Sequence, residues 1–139
     1  MQVEQVDFVS VPTRDAARAV AWYRDVLGLP LSDYTEGEVE TANVTLSFWN
    51  PEADGEPFQP NTAGIGLRVA DVEAAVEEVR ATGAEVIGIE DSGVCHMGFV
   101  KDLDGNVLIL HRRYVPRSRA AGGSEHGPGL GRGTGVGIS

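Results

Sequence analysis

The chain carries the same helix-forming segment twice, beginning at Asp15 and again at Asp71, an offset of 56 residues. In each copy, Ala and Val follow the aspartate after four and five residues, and arginine follows after nine. A strand-like run precedes each copy, and a glycine, Gly28 or Gly83, follows it. A repeat this long indicates two copies of one supersecondary unit, neither of which can bury its apolar face alone. We therefore expect function at the seam between the copies.

The composition restricts the class of protein and its partners. The 139 residues suit one domain or two small modules that share a core, and no apolar run is long enough to span a membrane. No signal peptide is expected from the N-terminal residues, and the single cysteine, Cys95, excludes an intrachain disulfide, so a cytoplasmic location is expected. The net charge of −10 argues against a nucleic acid as partner and would favour a cationic ligand.

The pattern along the chain predicts four segments. They are a first module at 1–50, a linker at 51–63, a second module at 64–114 and a glycine-rich tail at 115–139 that we expect to be flexible.

Each module is predicted to contain one capped helix and several strands. Asp15 or Thr13 can cap the first helix, and Gly28 is expected to end it in a left-handed turn. The second helix is expected to begin at Asp71 and end at Gly83. Strands are predicted at 6–11, 65–69, 84–89, 95–101 and 107–112, and residues 39–49 are predicted to form two short strands or one bent strand. A hairpin turn is predicted at 102–106.

A strand, a helix and three strands, repeated and closed by Lys-Asp-Leu-Asp-Gly-Asn at 101–106, resemble the vicinal oxygen chelate superfamily. That superfamily includes glyoxalase I, extradiol dioxygenases, and fosfomycin and bleomycin resistance proteins. The resemblance covers residues 4 to about 114 and is most specific at 22–29 and 99–106. It implies an α+β fold in which two βαβββ modules curl around a shared cleft, commonly within a homodimer.

The resemblance does not extend to the metal site of the superfamily. Its metalloenzymes draw ligands from four equivalent strand positions, which are occupied here by Phe8, Ser47, Gly64 and Ile109. A divalent ion needs imidazole, carboxylate or thiolate ligands. No cofactor is therefore expected, and this departure argues against glyoxalase or dioxygenase chemistry, which depends on the metal.

The final hairpin is expected to bring two histidines to the cleft. A four-residue loop at 103–106 would place Val100 opposite Ile109. His96 would then lie diagonally from His111 on the same face of the sheet.

Three interpretations of the histidine pair remain open. The imidazoles hydrogen-bond to their neighbours, or they form an alternative metal site with Glu40, or they act as a general acid and base. Cys95 would point away from His96 and is expected to be a packed structural thiol.

The predicted ligand-binding residues combine aromatic, hydroxyl, aliphatic and imidazole side chains from both modules. They are Phe8, Ser10, Ser47, Trp49, His96, Val100, Ile109 and His111. We expect a metal-independent protein that binds a small aromatic or cationic molecule, resembling the sequestration of antibiotics by bleomycin resistance proteins. The alternative is a glyoxalase- or dioxygenase-type enzyme with a displaced metal site or metal-free acid–base chemistry.

Overall fold

Each half of the chain forms a β-sheet with one helix packed against it in a computed structural model that describes residues 1–117. The first half consists of β1 (Phe8–Pro12), α1 (Ala16–Leu27), β2 (Glu38–Glu40) and β3 (Thr45–Trp49). The second half consists of β4 (Ile65–Arg68), α2 (Val72–Ala81), β5 (Val86–Asp91), β6 (Cys95–Lys101) and β7 (Val107–Arg113). The expected tail lies outside the described residues from residue 118 onward.

The two sheets share one topology, which confirms the α+β repeat. The first sheet has the order β1-β3-β2 and the second β4-β7-β6-β5, so in each half the first strand pairs in parallel with the last. The fourth strand expected in the first module is reduced to an isolated bridge between Leu31 and Val39. A 3-10 helix, Pro51–Asp54, occupies the start of the expected linker.

The helix boundaries follow from their caps. Asp15 accepts a hydrogen bond from the backbone N–H of Arg18, and Gly28 ends α1 with a φ of 73°. Asp71 caps α2 in the same way, but that helix ends at Thr82, one residue before the expected glycine. Both aspartate caps and the left-handed end of α1 are therefore confirmed. Neither helix within residues 1–117 is long and apolar enough to cross a membrane.

One apolar core joins the two halves. It is formed by the helix-facing sides of both sheets and the inner faces of both helices, and its buried members are Val11, Ala19, Trp22, Tyr23, Val39, Leu46, Phe48, Val72, Val76, Val79, Val100, Leu108 and Leu110. Gly98 lets α2 approach β6 closely, because a Cβ there would lie 2.4 Å from Cγ2 of Val76. Any side chain at this position would force the helix away from the sheet.

The turn at 102–106 is organised around the buried carboxylate of Asp102. Its Oδ2 accepts hydrogen bonds from the Tyr23 hydroxyl at 2.6 Å and from Nδ2 of Asn106 at 2.8 Å. Its Oδ1 accepts from the backbone N–H groups of Asp104 and Asn106. A buried carboxylate is tolerated only when its oxygens are paired in this way.

The same turn reaches back to the first module and to the linker. Nδ2 of Asn106 also donates to the carbonyl of Pro12 at 2.8 Å, and the Thr13 hydroxyl donates to Oδ2 of Asp104 at 2.6 Å. The backbone N–H of Asn61 donates to Oδ1 of Asn106. We call residues 102–106 the cross-module turn, because it ties the end of β1, the linker and α1 to the second sheet.

Replacing Tyr23 with phenylalanine is expected to destabilise the fold. The change removes one donor from the buried Asp102 carboxylate while leaving the aromatic ring, which should lower the free energy of unfolding by about 1–3 kcal/mol. Urea denaturation checks this, with Tyr34→Phe as the control because Tyr34 is 95% exposed. Equal stability of the two variants would contradict the role of the hydrogen bond.

The stability contributed by Tyr23 should also depend on pH. Burial, followed by the Asp102 carboxylate, raises the pKa of Tyr23 above its ordinary value of 10.0. The contribution is therefore fully present below pH 10.0 and declines above it, where the unfolded state loses a proton that the folded state retains, by up to about 1.4 kcal/mol per pH unit.

Denaturation at several alkaline pH values compares the wild type with Tyr23→Phe. The stability difference between them should shrink as the pH rises beyond 10.0. A difference that stays constant across this range would show that Tyr23 ionises equally in both states.

Candidate functional site

Each sheet has one face covered by its helix and one face left open. In the first sheet, Val9, Val11 and Leu46 contribute to the core, so the alternate residues of these strands point to the other side. This first open face includes four predicted site residues, listed by strand as Phe8 and Ser10 on β1 and Ser47 and Trp49 on β3. Ser10 and Ser47 are register partners in the parallel ladder.

The two aromatic side chains of this face are accessible. Phe8 is 57% and Trp49 is 44% exposed. The indole N–H of Trp49 donates to Oδ2 of Asp54 at 2.8 Å, which restrains the ring orientation. Asp54 lies in the 3-10 helix of the linker and was not anticipated from the sequence, because that stretch shows no periodic pattern.

The register expected for the final hairpin is wrong by one residue. The strand ladder ends with Lys101 opposite Val107, so five residues, 102–106, connect the strands where four were expected. Within this turn, the backbone N–H of Asp102 donates to the carbonyl of Asn106. Val100 therefore lies opposite Leu108 and not Ile109, and its side chain is fully buried. A shift of one residue moves a side chain to the other face of the sheet.

The same shift separates the two histidines. His111 lies opposite Met97, whereas His96 lies opposite Arg112 on the neighbouring register position, which faces the other way. The ring centroid of His96 lies 4.7 Å from that of Tyr114, with the two ring planes tilted by 41°. The expected pairing of His96 with His111 is therefore wrong.

The alternative metal site is not assembled. Within residues 1–117, no group of three or more His, Cys, Asp and Glu side chains is arranged to hold a metal ion. Glu40 lies on the first sheet, where Oε1 accepts a hydrogen bond from the Thr45 hydroxyl at 2.6 Å. Neither His96 nor His111 lies on that sheet.

The residues at the four ligand positions of the metalloenzymes do not fit a metal either. Phe8 and Ser47 lie on the first open face, and Ile109 lies on β7. Gly64 has a φ of 97°, and a Cβ there would lie 2.8 Å from Cδ1 of Ile109. A ligating side chain at residue 64 would thus be strained and would collide with Ile109, so we derive no metal-dependent step for this site.

The second open face carries two rows of residues across all four strands. One row is Gly66, Ile109, Phe99 and Gly88, and the next is Arg68, His111, Met97 and Glu90. Phe99 and Met97 were missed because the incorrect register directed attention to Val100 and His96. Arg68 was missed for a different reason, since it lies on β4, which that register does not involve. The alternation along β4 from Gly64 to Gly66 and Arg68 is the sequence signal that could have found Arg68.

Concave space also lies at the seam between the two modules. An apolar cavity of about 530 Å³ is bordered by β1 and β3 on one side and by β4 on the other, with Leu29, Leu46 and Leu67 among its walls. Gly66 and Arg68 belong to the lining of this cavity, so it adjoins the edge of the second open face.

Comparison with known families identifies the fold. The family model described as the Glyoxalase/Bleomycin resistance protein/Dioxygenase superfamily matches residues 5–110. The chain belongs to this superfamily. This confirms the resemblance drawn from the repeat and the cross-module turn, since the superfamily is the one also called vicinal oxygen chelate. A search of the curated proteins found no match.

Solved structures with a similar fold include both a binding protein and an enzyme. The antibiotic binding protein TnmS3 from Streptomyces sp. CB03234 is 25% identical, with a TM-score of 0.68 over 81% of this chain and 98% of that one. A lactoylglutathione lyase from Agrobacterium tumefaciens is 17% identical, with a TM-score of 0.62 over 79% and 94%. TioX from Micromonospora sp. ML1 is 23% identical, with a TM-score of 0.58 over 79% and 99%.

Protein purified without chelators or an affinity tag is expected to contain no stoichiometric transition metal. Addition of zinc, nickel, manganese or iron(II) should leave its melting temperature unchanged, because none of the four superfamily positions provides a ligand. Elemental analysis and thermal-shift measurements check this. A stoichiometric metal that stabilises the fold would contradict the loss of the site.

Proposed function

We propose that this superfamily member binds a small aromatic molecule on its open sheet faces without a metal, as a sequestering protein and not as an enzyme. The observation that carries the proposal is the pair of exposed aromatic side chains, Phe8 and Trp49, on one face of the first sheet. Aromatic side chains in accessible sites contact flat apolar ligands through stacking and edge contacts.

The energetics favour occupation of this face. Complete burial of a large apolar side chain contributes about 1.5–3 kcal/mol, and Phe8 and Trp49, which are about half exposed, would contribute part of this when covered. The Trp49 ring is already restrained by Asp54, so less conformational entropy is lost when a ligand stacks on it. The neighbouring Ser10 and Ser47 hydroxyls supply donors and acceptors that can orient a polar substituent.

The structural neighbours support binding, and the site residues argue against catalysis. TnmS3 is described as an antibiotic binding protein, but the same fold also occurs in a lactoylglutathione lyase. Function must therefore be argued from the site. His96 and His111 occupy different faces, which removes the acid–base pair and the displaced metal site on which the enzymatic alternative depended.

The cationic character expected of the ligand rests on the net charge of −10 alone. A homodimer and a cytoplasmic location are retained as part of the proposal. The dimer rests on the resemblance to the superfamily, whose members commonly form homodimers.

Isothermal titration calorimetry with planar aromatic compounds tests the proposed function. Bleomycin and ethidium supply cationic probes, and 2-naphthamide supplies a neutral one. Phe8→Ala and Trp49→Ala should each weaken binding by about tenfold or more, on the scale of one lost aromatic contact. Tyr34→Ala is the matched control, since Tyr34 is exposed but lies in the segment between α1 and β2.

Two outcomes contradict the proposal. The first is the absence of binding by every aromatic probe. The second is an equal effect of Tyr34→Ala and Trp49→Ala, which would place the ligand elsewhere. Tighter binding of ethidium than of 2-naphthamide would support a cationic ligand, and the reverse order would oppose it.

A further inference from the structure

We propose that Arg68 and His111 form a binding site for a carboxylate carried by the aromatic ligand. This inference rests on the proposed function and assigns the carboxylate to the second open face, which is a separate surface from the Phe8 and Trp49 face of the first sheet. It also replaces the expectation of a cationic ligand, because the Arg68 guanidinium would attract an acidic group and repel a basic one.

The geometry brings the two side chains together. Arg68 on β4 and His111 on β7 are register partners in the parallel ladder, and the backbone N–H of Val69 donates to the carbonyl of His111 at 3.0 Å. Side chains at paired register positions project from the same face of a sheet on strands about 4.8 Å apart. A single carboxylate can therefore accept hydrogen bonds from both.

Both side chains have unused hydrogen-bonding capacity. Within residues 1–117, Arg68 makes no ion pair, whereas Arg24, Arg80 and Lys101 each lie near a carboxylate. Nε2 of His111 is buried and has no hydrogen-bond partner among the described residues. A buried polar atom without a partner is costly, and an incoming acceptor would remove that cost.

The neighbouring row offers a surface for the aromatic ring. Ile109 and Phe99 are flanked by Gly66 and Gly88, and a Cβ at either glycine would meet no atom within 4 Å. The packing of the chain therefore does not require glycine at these two positions. The exposed backbone there leaves room for a ligand ring. The two rows are separated by about 6.6 Å along the strand, so a ring on Ile109 can place its carboxylate beside His111.

Within the described part of the second sheet, no carboxylate on this face lies close to Arg68. The acidic residue in the row of Arg68 and His111 is Glu90, on the far side of Met97. Three strand spacings separate it from Arg68, which is about 14 Å. That exceeds the Debye length of about 8 Å at physiological ionic strength, so Arg68 remains free to attract an anion.

A pair of isosteric probes separates charge from aromatic contact. Calorimetric titration of the full chain compares 2-naphthoate with its neutral amide, 2-naphthamide. The wild type should bind the carboxylate about tenfold more tightly or better, on the scale of one charge-assisted hydrogen bond. This preference should diminish as the salt concentration rises.

Substitutions test whether the preference for the carboxylate over the amide depends on Arg68 and His111. Arg68→Gln and His111→Gln should each remove most of the roughly tenfold preference for the carboxylate and leave the affinity for the amide unchanged. Arg112→Gln is the matched control, because it changes the net charge equally from the opposite face of β7. Gly66→Val should weaken both probes, since its side chain would fill open space above the sheet.

The outcomes distinguish this inference from the function on which it rests. Equal affinity for the two probes, or an equal effect of Arg68→Gln and Arg112→Gln, would overturn the carboxylate site while leaving aromatic binding intact. Failure of both probes to bind would overturn both proposals. If His111→Gln fails to fold, the Arg68→Gln variant still tests the carboxylate site, because Arg68 is exposed and its substitution should not disturb the fold.

Discussion

The rest of the structure depends on the burial of one carboxylate. Asp102 lies between the two halves of the chain and is satisfied by a tyrosine hydroxyl, an asparagine amide and two backbone N–H groups. Because an unpaired charge in that position would be costly, α1 and the cross-module turn can pack together only in the arrangement that provides all four donors. The hydrophobic core holds the halves together, and this network determines how they are aligned.

The same network determines which side chains reach the second open face. Asp102 pairs with Asn106 inside the turn, which is consistent with Lys101 lying opposite Val107 and with the register of β6 against β7. Val100 is consequently buried, His96 lies beside Tyr114, and Phe99 lies on the open face. A contact made between the modules thus decides the chemistry of a surface several residues away.

Local patterns allowed much of the fold to be predicted from the sequence. The repeat identified the two modules, and each aspartate cap was recognisable because the capping bond spans only three residues. The hairpin register was not predictable in this way, since it depends on hydrogen bonds from residues as distant as Tyr23. Asp54 was missed because the irregular stretch that contains it shows no period that predicts its hydrogen bond to Trp49, five residues earlier.

Strand β7 has a further consequence for how such a protein can diversify. Leu108 and Leu110 fill the core, while the intervening Ile109 and the following His111 belong to the other face. Packing and the proposed recognition are thereby assigned to alternate residues of one strand. Substitutions at the recognition positions leave the packed positions untouched, so a new ligand preference can be acquired at little cost to the fold. On strand β7, every second residue can therefore change during evolution without disturbing the core.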